Sequence, residues 1–352
     1  MDDIENNLPI AVTIGEPSGV GPEVILKCWY KRADYALPNF FVIGSAEIMK
    51  KTAAQLNLNV PVTAINFPDQ TENVFHAALP VLDLDMSNEF EYGNPLQSTA
   101  PLVIAAIDKA VELILDGKAR AMASAPIHKA ALYNAGFTSP GHTEYLAELA
   151  SKHTNKPYHP VMMLASEELC VVPLTIHVAL KDVPSLLSTE LIIETTHIIH
   201  NSMQKYFGLQ SPSIAISGLN PHAGENNSMG REDSEIIAPA IAALKQKAIR
   251  VSGPMPADTM FHKAARDKYD VALCMYHDQA LIPIKTIDFD AGVNVTLGLP
   301  IVRTSPDHGT ALNIAGQGLA NPTSMINSLK LADRMSKNFT VEEMEEETEE
   351  HV

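Results

Sequence analysis

The chain has 352 residues, which is enough for two domains whose cores need no disulfides. With 46% hydrophobic and 19% charged residues it is not a disordered chain, and its net charge of −17 argues against nucleic acid or an anionic membrane as a partner. A polar, acidic N-terminus, three widely spaced cysteines and the lack of a long apolar run predict a cytoplasmic protein. Seven glutamates in residues 341–352 form an acidic tail that we expect to be solvated.

Strand-like and helix-like segments alternate along the chain. Short β-branched or small apolar runs predict strands over residues 10–14, 40–43, 81–85, 121–125, 171–176, 213–217 and 271–276. Helical periodicity predicts helices over residues 99–116, 190–207 and 234–248. The alternation predicts an α/β fold with mostly parallel sheets. Neither a GxGxxG nor a GxxxxGK[ST] motif is present, so a nucleotide cofactor would be held in another way.

No Gly-, Ser- or Pro-rich linker separates two halves of the chain, so we expect interleaved domains. Residues 1–135 together with 304–352 are predicted to form the first α/β domain, and residues 136–303 the second. The loop Gly15–Glu23 follows the first predicted strand and precedes a helix, with Pro22 suited to the first helical turn. Turn chemistry alone could explain that loop.

Three histidines each follow a predicted strand, namely His177, His222 and His277. The carboxyl edge of an open α/β sheet is where ligands bind. Three neutral imidazoles there would suit Zn²⁺ or a similar divalent ion, with positions left open for a substrate. Three unrelated loop histidines that bind backbone groups are the alternative. His197 and His200, three residues apart on a predicted helix, are instead interpreted as part of its outer surface.

A possible anion site begins at Gly141–Glu144, which opens a predicted helix. His142 and Thr143 lie at that helix start, where free N–H groups suit a phosphate, although an ordinary threonine cap would look the same. Lys285, Asn294 and Arg303 follow in a stretch rich in glycine and proline. Arg303 could bind a carboxylate or phosphate through two parallel hydrogen bonds, or the two cations could lie at the surface.

Taken together, the motifs occur in one order that resembles the 4-hydroxythreonine-4-phosphate dehydrogenase family of vitamin B6 biosynthesis, which makes pyridoxine and pyridoxal phosphate. The resemblance covers nearly the whole chain, from Ile10 to Ala332. The segments that carry it are 15–23, 124–126 with Lys129, 141–144, 218–225, 253–259, 276–285 and 305–323.

Two of these segments are also similar to their counterparts in isocitrate and isopropylmalate dehydrogenases, namely 19–23 and 308–322. In that group the second segment holds the adenosine part of the cofactor. The resemblance therefore implies a two-domain isocitrate/isopropylmalate dehydrogenase-like fold with helices on both faces of the sheets, and NAD or NADP as cofactor. The cofactor-binding residues that it implies are His308, Gly309, Thr310, Asn313 and Asn321.

The family resemblance further implies a homodimer with a shared active site in the interdomain cleft. The first domain would be the cofactor side, and the second the metal and dimer side. A divalent ion (zinc, magnesium or cobalt) would be held by His177, His222 and His277, with ligands from both subunits. The implied substrate contacts are His142, Thr143, Lys285, Asn294 and Arg303.

The implied reaction is the NAD-dependent oxidation of 4-phosphooxy-L-threonine to a 3-keto acid, followed by decarboxylation to 3-amino-2-oxopropyl phosphate. Lys285 and a hydroxide held by the ion are the candidate proton acceptors, and the roles of Asp258 and Asp278 stay open. The segments 175–180 and 225–228 depart from the usual family pattern, which leaves the substrate choice open. The alternatives are a dehydrogenase of phosphorylated threonate or erythronate, a phosphate acyltransferase-like enzyme, and a non-catalytic binding protein.

Overall fold

The structure is a computed structural model that describes residues 8–86, 89–134, 137, 139 and 141–339. The chain divides into two compact units, one of Met1–Pro160 with Leu299–Val352 and one of Val161–Gly298. Residues 141–160 and 299–303 thus belong to the first unit, whereas the sequence analysis assigned them to the second domain. The acidic tail lies outside the described residues.

The strands of the described residues are short, with four or five residues each. They are β1 (Ile10–Thr13), β2 (Phe40–Gly44), β3 (Val62–Ile65), β4 (Leu79–Asp83), β5 (Ala121–Ser124), β6 (Val161–Ala165), β7 (Cys170–Pro173), β8 (Ile214–Ser217), β9 (Val251–Met255), β10 (Val271–Cys274), β11 (Val293–Leu297) and β12 (Arg303–Pro306).

The α-helices that the structure describes range from single turns to a helix of 19 residues. They are α1 (Gly21–Tyr30), α2 (Ala46–Gln55), α3 (Thr71–Phe75), α4 (Ala100–Leu115), α5 (Lys129–Asn134), α6 (His142–Thr154), α7 (Val183–Leu186), α8 (Thr189–Phe207), α9 (Ala238–Gln246), α10 (Ala257–Met260), α11 (Lys263–Arg266), α12 (His277–Ile287) and α13 (Thr323–Lys337). Between residues 8 and 339, no described helix is long and apolar enough to cross a membrane.

In the first unit the strand order is β3-β4-β2-β1-β5-β12, and the neighbouring strands run parallel. Every residue of β1, β2 and β5 is buried, as expected for parallel strands that are covered on both faces. This explains why these strands are continuous apolar or small runs in the sequence rather than alternating ones.

In the second unit the order is β11-β6-β7-β10-β8-β9. The strands β7, β10, β8 and β9 run parallel to one another, whereas β6 is antiparallel to both β7 and β11. The prediction of an α/β fold with mostly parallel strands is therefore confirmed.

Several elements differ from their predicted limits. The strands predicted over 171–176 and 271–276 end at Pro173 and Cys274, so the residues before His177 and His277 are already loop. The helix predicted over 234–248 is a π-helical turn, Asp233–Ile237, that continues into α9. The sequence analysis did not predict α12, because Pro283 lies inside it and removes one helical hydrogen bond.

The position of α12 is stabilised by packing. Ala280, Leu281 and Ile284 belong to a buried apolar cluster that also contains residues of β7, β8 and β10. Burying one such leucine or isoleucine side chain contributes roughly 1.5–3 kcal/mol, which offsets the weakened helical hydrogen bonding at the proline.

Candidate active site

The three predicted metal ligands, all histidines of the second unit, follow three adjacent parallel strands. The order β7-β10-β8 puts the strand before His277 in the middle, with the strand before His177 on one side and the strand before His222 on the other. Because the carboxyl ends of parallel strands meet at one edge of a sheet, all three histidines belong to the same edge. We call residues 174–177, 218–222 and 275–279 the histidine edge.

Two of these histidines lie together. The ring centroids of His177 and His277 are 5.5 Å apart, and both residues line a cavity of about 200 Å³ with Thr175, Tyr276 and Asp278. The Nδ1 atom of His277 is 2.7 Å from Oδ1 of Asp278. A carboxylate only accepts, so Nδ1 carries the hydrogen and Nε2 keeps its lone pair, which is the arrangement typical of a metal-binding imidazole.

The third histidine, His222, lies in a loop with unusual backbone geometry. Its φ is 52°, in the left-handed region that is uncommon for residues other than glycine and that recurs at functional sites. The carboxylate of the buried Asp233 holds this loop, because its oxygens accept from the backbone N–H groups of Leu219 and Asn220 at 2.8 and 3.2 Å.

The structure therefore brings two of the three predicted metal ligands together. Within the ranges that the structure describes, no three His, Cys, Asp or Glu side chains form a group that could hold an ion. His222 lies at the same sheet edge but does not complete such a group with His177 and His277.

Two exposed apolar side chains lie beside the histidine edge. Val178 and Leu180 line the same cavity as His177 and His277 and are 42% and 65% exposed. Two more exposed apolar side chains belong to α12 and the residues after it, namely Ile282 at 63% and Phe289 at 74%. Exposed apolar side chains that lie together mark an interaction surface more often than single scattered ones do.

The first unit contains a buried pair of basic side chains. His142 is the first residue of α6, and its Nδ1 atom is 3.1 Å from a terminal nitrogen of Arg303 at the start of β12. Arg303 also donates from Nε to the hydroxyl of Ser124 at 3.3 Å. His142 and Arg303 are both buried, so the structure joins two of the five predicted substrate-binding residues.

The protonation of His142 follows from its surroundings. Burial, helped by the charges of Arg303 and Lys129, holds the pKa of His142 well below its usual range, so its imidazole is neutral. Burial also lowers the pKa of Arg303 to about 10, which leaves the guanidinium charged at neutral pH. Since the guanidinium can only donate, Nδ1 of His142 accepts and its Nε2 carries the hydrogen.

That Nε2–H group is buried and has no hydrogen-bond partner among the residues that the structure describes. A buried donor without a partner costs roughly 1–3 kcal/mol, so such a group points to a ligand that accepts. Beside it are a charged guanidinium and the N-terminus of a helix of 13 residues. The combination fits an anionic oxygen, as expected for a phosphate.

The other predicted substrate residues lie in separate elements. Thr143 is the second residue of α6 and is half-buried. Asn294 lies in β11 opposite Leu164 of β6, and Lys285 lies in the last turn of α12, with its Nζ 6.0 Å from the ring centre of Phe289.

The predicted cofactor segment is attached to the N-terminal loop of the same unit. The backbone N–H of Val20 donates to the carbonyl of Thr310 at 2.9 Å. A Cβ atom on Gly19 would come within 2.7 Å of that same carbonyl oxygen, so only glycine allows the two segments to approach this closely.

A buried ion pair holds the far end of this segment. The Glu23 carboxylate accepts from the N–H of Ala320 at 2.9 Å, and the Lys27 ammonium donates to the carbonyls of Gly318 and Ala320 at 2.9 and 2.7 Å. Glu23 and Lys27 also pair with each other at 2.6 Å. The segment is thus bound to the loop before α1 at one end and to α1 itself at the other.

Among the predicted cofactor residues, His308 offers a defined hydrogen-bonding group. Its Nδ1 donates to the carbonyl of Gly309 at 3.0 Å, so Nε2 is an acceptor. That atom is buried and has no hydrogen-bond partner in the described part of the chain. Asn313 is exposed. The side-chain oxygen of Asn321 already accepts from the N–H and hydroxyl of Thr323, which leaves its amide nitrogen for a ligand.

The sequence analysis missed the residues that hold these groups in place. Gln279, Asp233, Glu23 and Lys27 each bind backbone atoms of a segment that carries a predicted site residue. Glu23 and Gln279 lie inside the segments 15–23 and 276–285 that carry the family resemblance, and this position was the sequence signal that could have identified them. Nothing in the spacing distinguishes them from ordinary helix residues.

The fold and these groups define the class as an α/β protein with a buried histidine–arginine pair and a histidine-bearing sheet edge. Comparisons with known proteins identify the family within this class. The family model described as pyridoxal phosphate biosynthetic protein PdxA matches residues 36–332. The chain belongs to this family.

Relatives that are similar over nearly the whole chain are named 4-hydroxythreonine-4-phosphate dehydrogenase. A 4-hydroxythreonine-4-phosphate dehydrogenase of Methylorubrum populi is 51% identical over 94% of this chain and 95% of its own length. The crystal structure of a 4-hydroxythreonine-4-phosphate dehydrogenase from Klebsiella pneumoniae is 35% identical, with a TM-score of 0.83 over 94% of this chain and 98% of that one. These named dehydrogenases indicate an oxidoreductase.

A more distant structure shares the fold alone. A terephthalate 1,2-cis-dihydrodiol dehydrogenase from Burkholderia xenovorans LB400 is 23% identical, with a TM-score of 0.63 over 93% of this chain and 98% of that one. This similarity extends the fold to dehydrogenases that carry a different name.

Proposed function

We propose that this chain oxidises 4-phosphooxy-L-threonine with NAD or NADP to the 3-keto acid, which then loses CO₂ to give 3-amino-2-oxopropyl phosphate for pyridoxal phosphate biosynthesis. The observation that carries the proposal is the buried Nε2–H of His142 beside Arg303, a site for an anionic oxygen in a chain half identical to relatives of that name.

The phosphate end of the substrate would bind this pair. A charged guanidinium gives a bidentate partner for phosphate, and the neutral imidazole adds a donor of fixed direction. Thr143 adds a hydroxyl at the same helix start. Lys285 and Asn294 complete the proposed set of substrate-binding residues. Lys285 is also the proposed acceptor of the proton that the alcohol loses.

The donor set of the histidine edge fits a divalent ion. Imidazole nitrogen suits zinc or cobalt better than magnesium, which prefers oxygen ligands, and Asp278 orients the ring of His277 as expected for a ligand. We assign His177, His222 and His277 as the ligands. When bound, the ion supplies a Lewis acid that favours ionisation of a secondary alcohol.

We further propose that the chain acts as a homodimer that completes this metal site. Two observations support a second copy at the histidine edge. The described residues of one chain do not form a complete ligand group, and Val178 and Leu180 expose apolar surface beside His177. Covering those side chains would add burial energy of about 25 cal/mol for each Å² of apolar surface.

The proposed cofactor site is the segment that contains His308, Gly309, Thr310, Asn313 and Asn321. The buried acceptor on His308 and the amide nitrogen of Asn321 offer groups for a nucleoside. NAD, when bound, accepts the hydride of the alcohol carbon. None of the three cysteines, all within the described residues, forms a disulfide, which supports placing the reaction in the reducing cytoplasm.

The test is the absorbance of the reduced cofactor when metal-loaded protein is mixed with NAD and 4-phosphooxy-L-threonine, with and without a chelator. We expect a rise that the chelator abolishes. A rise only with phosphorylated threonate or erythronate would instead assign the chain to sugar-acid catabolism. No rise with either substrate, together with turnover of an acyl-coenzyme A, would favour the acyltransferase.

A further inference from the structure

Gln279 forms three hydrogen bonds at the centre of the histidine edge. It lies in the first turn of α12, two residues after His277, and is 9% exposed. Its Oε1 accepts from the hydroxyl of Ser217 at 2.8 Å and from the backbone N–H of Met275 at 2.7 Å. Its Nε2 donates to the carbonyl of Gly218 at 2.8 Å.

These bonds join the ends of two neighbouring strands. Ser217 ends β8, and Gly218 begins the loop that leads to His222. Met275 follows β10 and leads to His277. One side chain therefore fixes the backbone of two histidine-bearing segments relative to each other.

A further bond extends the connection to the third segment. The hydroxyl of Thr175, two residues before His177, donates to the carbonyl of Met275 at 2.8 Å. Both backbone groups of Met275 are thus held by side chains, the N–H by Gln279 and the C=O by Thr175. Met275 and the Gln279 side chain together therefore connect the segments of all three histidines.

Burial makes these bonds effective. Without the glutamine amide, the Met275 N–H and the Gly218 carbonyl would face a site with little water, and each unsatisfied group would cost about 1–3 kcal/mol. The two segments would then relax to satisfy these groups in other ways. Metal ligands, by contrast, tolerate little displacement, because metal–nitrogen distances for zinc vary by only about 0.2 Å.

We propose that Gln279 is a positioning residue that sets the relative placement of the His222 and His277 segments and thereby the affinity and coordination geometry of the divalent ion. This inference rests on the proposed metal function. It assigns no contact between Gln279 and the ion, since the amide is fully engaged with backbone and hydroxyl groups.

The test uses Co²⁺ as the probe, with its visible absorption spectrum as the readout, in titrations of metal-free full-length protein. Gln279→Met has a similar volume and removes all three bonds, and Ser217→Ala removes one. Thr196→Val is the matched control, because Thr196 is fully buried and its hydroxyl bonds only within α8, to the carbonyl of Ile192 at 2.6 Å.

We expect Gln279→Met to bind Co²⁺ about 10- to 100-fold more weakly, with a changed band shape, as for other groups that support metal ligands. Ser217→Ala should weaken binding a few-fold, in the same direction. Thr196→Val should lower thermal stability while its Co²⁺ affinity and spectrum match those of the wild type.

Two outcomes would overturn the proposal. If folded Gln279→Met and Ser217→Ala both bind Co²⁺ as the wild type does, Gln279 has no positioning role, although the metal site stands. If His222→Ala also leaves the wild-type Co²⁺ spectrum unchanged, the metal assignment itself is wrong and the inference falls with it. Should Gln279→Met not fold, the Ser217→Ala titration decides.

Discussion

The two histidine-bearing sites differ in how complete they are within one chain. In the first unit, His142 and Arg303 are 161 residues apart in sequence yet lie 3.1 Å from each other, both buried. In the second unit, His177 and His277 lie together, but three ligands do not group among the residues described. In the function proposed above, the buried pair binds the substrate without further groups, whereas the exposed edge requires an ion and a second subunit. The proposal therefore places a preorganised anion site within one chain and makes the metal site depend on assembly.

The largest expected effect comes from removing a ligand at the incomplete site. His222→Ala should lower turnover about 10³-fold or more, because losing the Lewis acid removes several kcal/mol of transition-state stabilisation. The measurement is kcat with saturating substrate and added metal. His197→Ala, a histidine of α8 in the same unit, is the matched control and should keep wild-type kcat. Wild-type kcat for His222→Ala in metal-depleted buffer would contradict the metal assignment.

Substitutions at the His142–Arg303 pair should weaken substrate binding and leave the requirement for metal unchanged. Arg303→Ala should raise the KM for the phosphorylated substrate by about 100-fold, since a charge-assisted hydrogen-bond pair of a few kcal/mol is lost. Arg303→Lys keeps the charge but not the bidentate geometry, so its KM should lie between those of the wild type and Arg303→Ala. Steady-state kinetics with each variant provide the check. An unchanged KM for the alanine variant would exclude Arg303 from the anion site.

A smaller effect is expected at the cofactor segment. Gly19→Ala would place a methyl group 2.7 Å from the carbonyl oxygen of Thr310, so the segment 308–321 must shift. We expect the KM for NAD to rise about tenfold, which corresponds to about 1.4 kcal/mol, with the KM for the phosphorylated substrate unchanged. Equal changes in both constants would show that the variant disturbs the whole unit rather than the cofactor segment.

The smallest effect concerns pH. The pKa of His142 is lowered in the folded protein, so the unfolded chain binds more protons below its unfolded pKa of about 6.5. The free energy of unfolding therefore has its full value above that pH. It decreases as the pH falls below it, by up to about 1.4 kcal/mol per pH unit, because only the unfolded chain takes up the proton. In urea unfolding at about pH 7.5 and about pH 5.5, the wild type should lose stability relative to His142→Gln. A constant difference would show that His142 does not titrate as described.

The features that the sequence predicted correctly are those set by residues close together in the chain. The positions of His177, His222 and His277 after strands were predictable, because strand runs and the residues after them are local features. The helix that begins at Gly141–Glu144 and the helices over 99–116 and 190–207 were predicted for the same reason and are confirmed within one or two residues.

Long-range contacts were not predictable in this way. No periodicity or motif indicates that Arg303 donates to His142 or that Gln279 bridges β8 and β10, because these contacts depend on which strands become neighbours. The helix α12 was missed because Pro283 argues locally against a helix, while burial of Leu281 and Ile284 in the tertiary structure outweighs that preference.

The most direct test of the central claim is a stoichiometric one. Metal-loaded protein is mixed with NAD and 4-phosphooxy-L-threonine, and reduced cofactor and released CO₂ are both quantified, with a chelator-treated sample alongside. The account predicts one CO₂ for each reduced cofactor and neither product after chelation. Reduced cofactor without CO₂, or equal yields after complete metal removal, would contradict it.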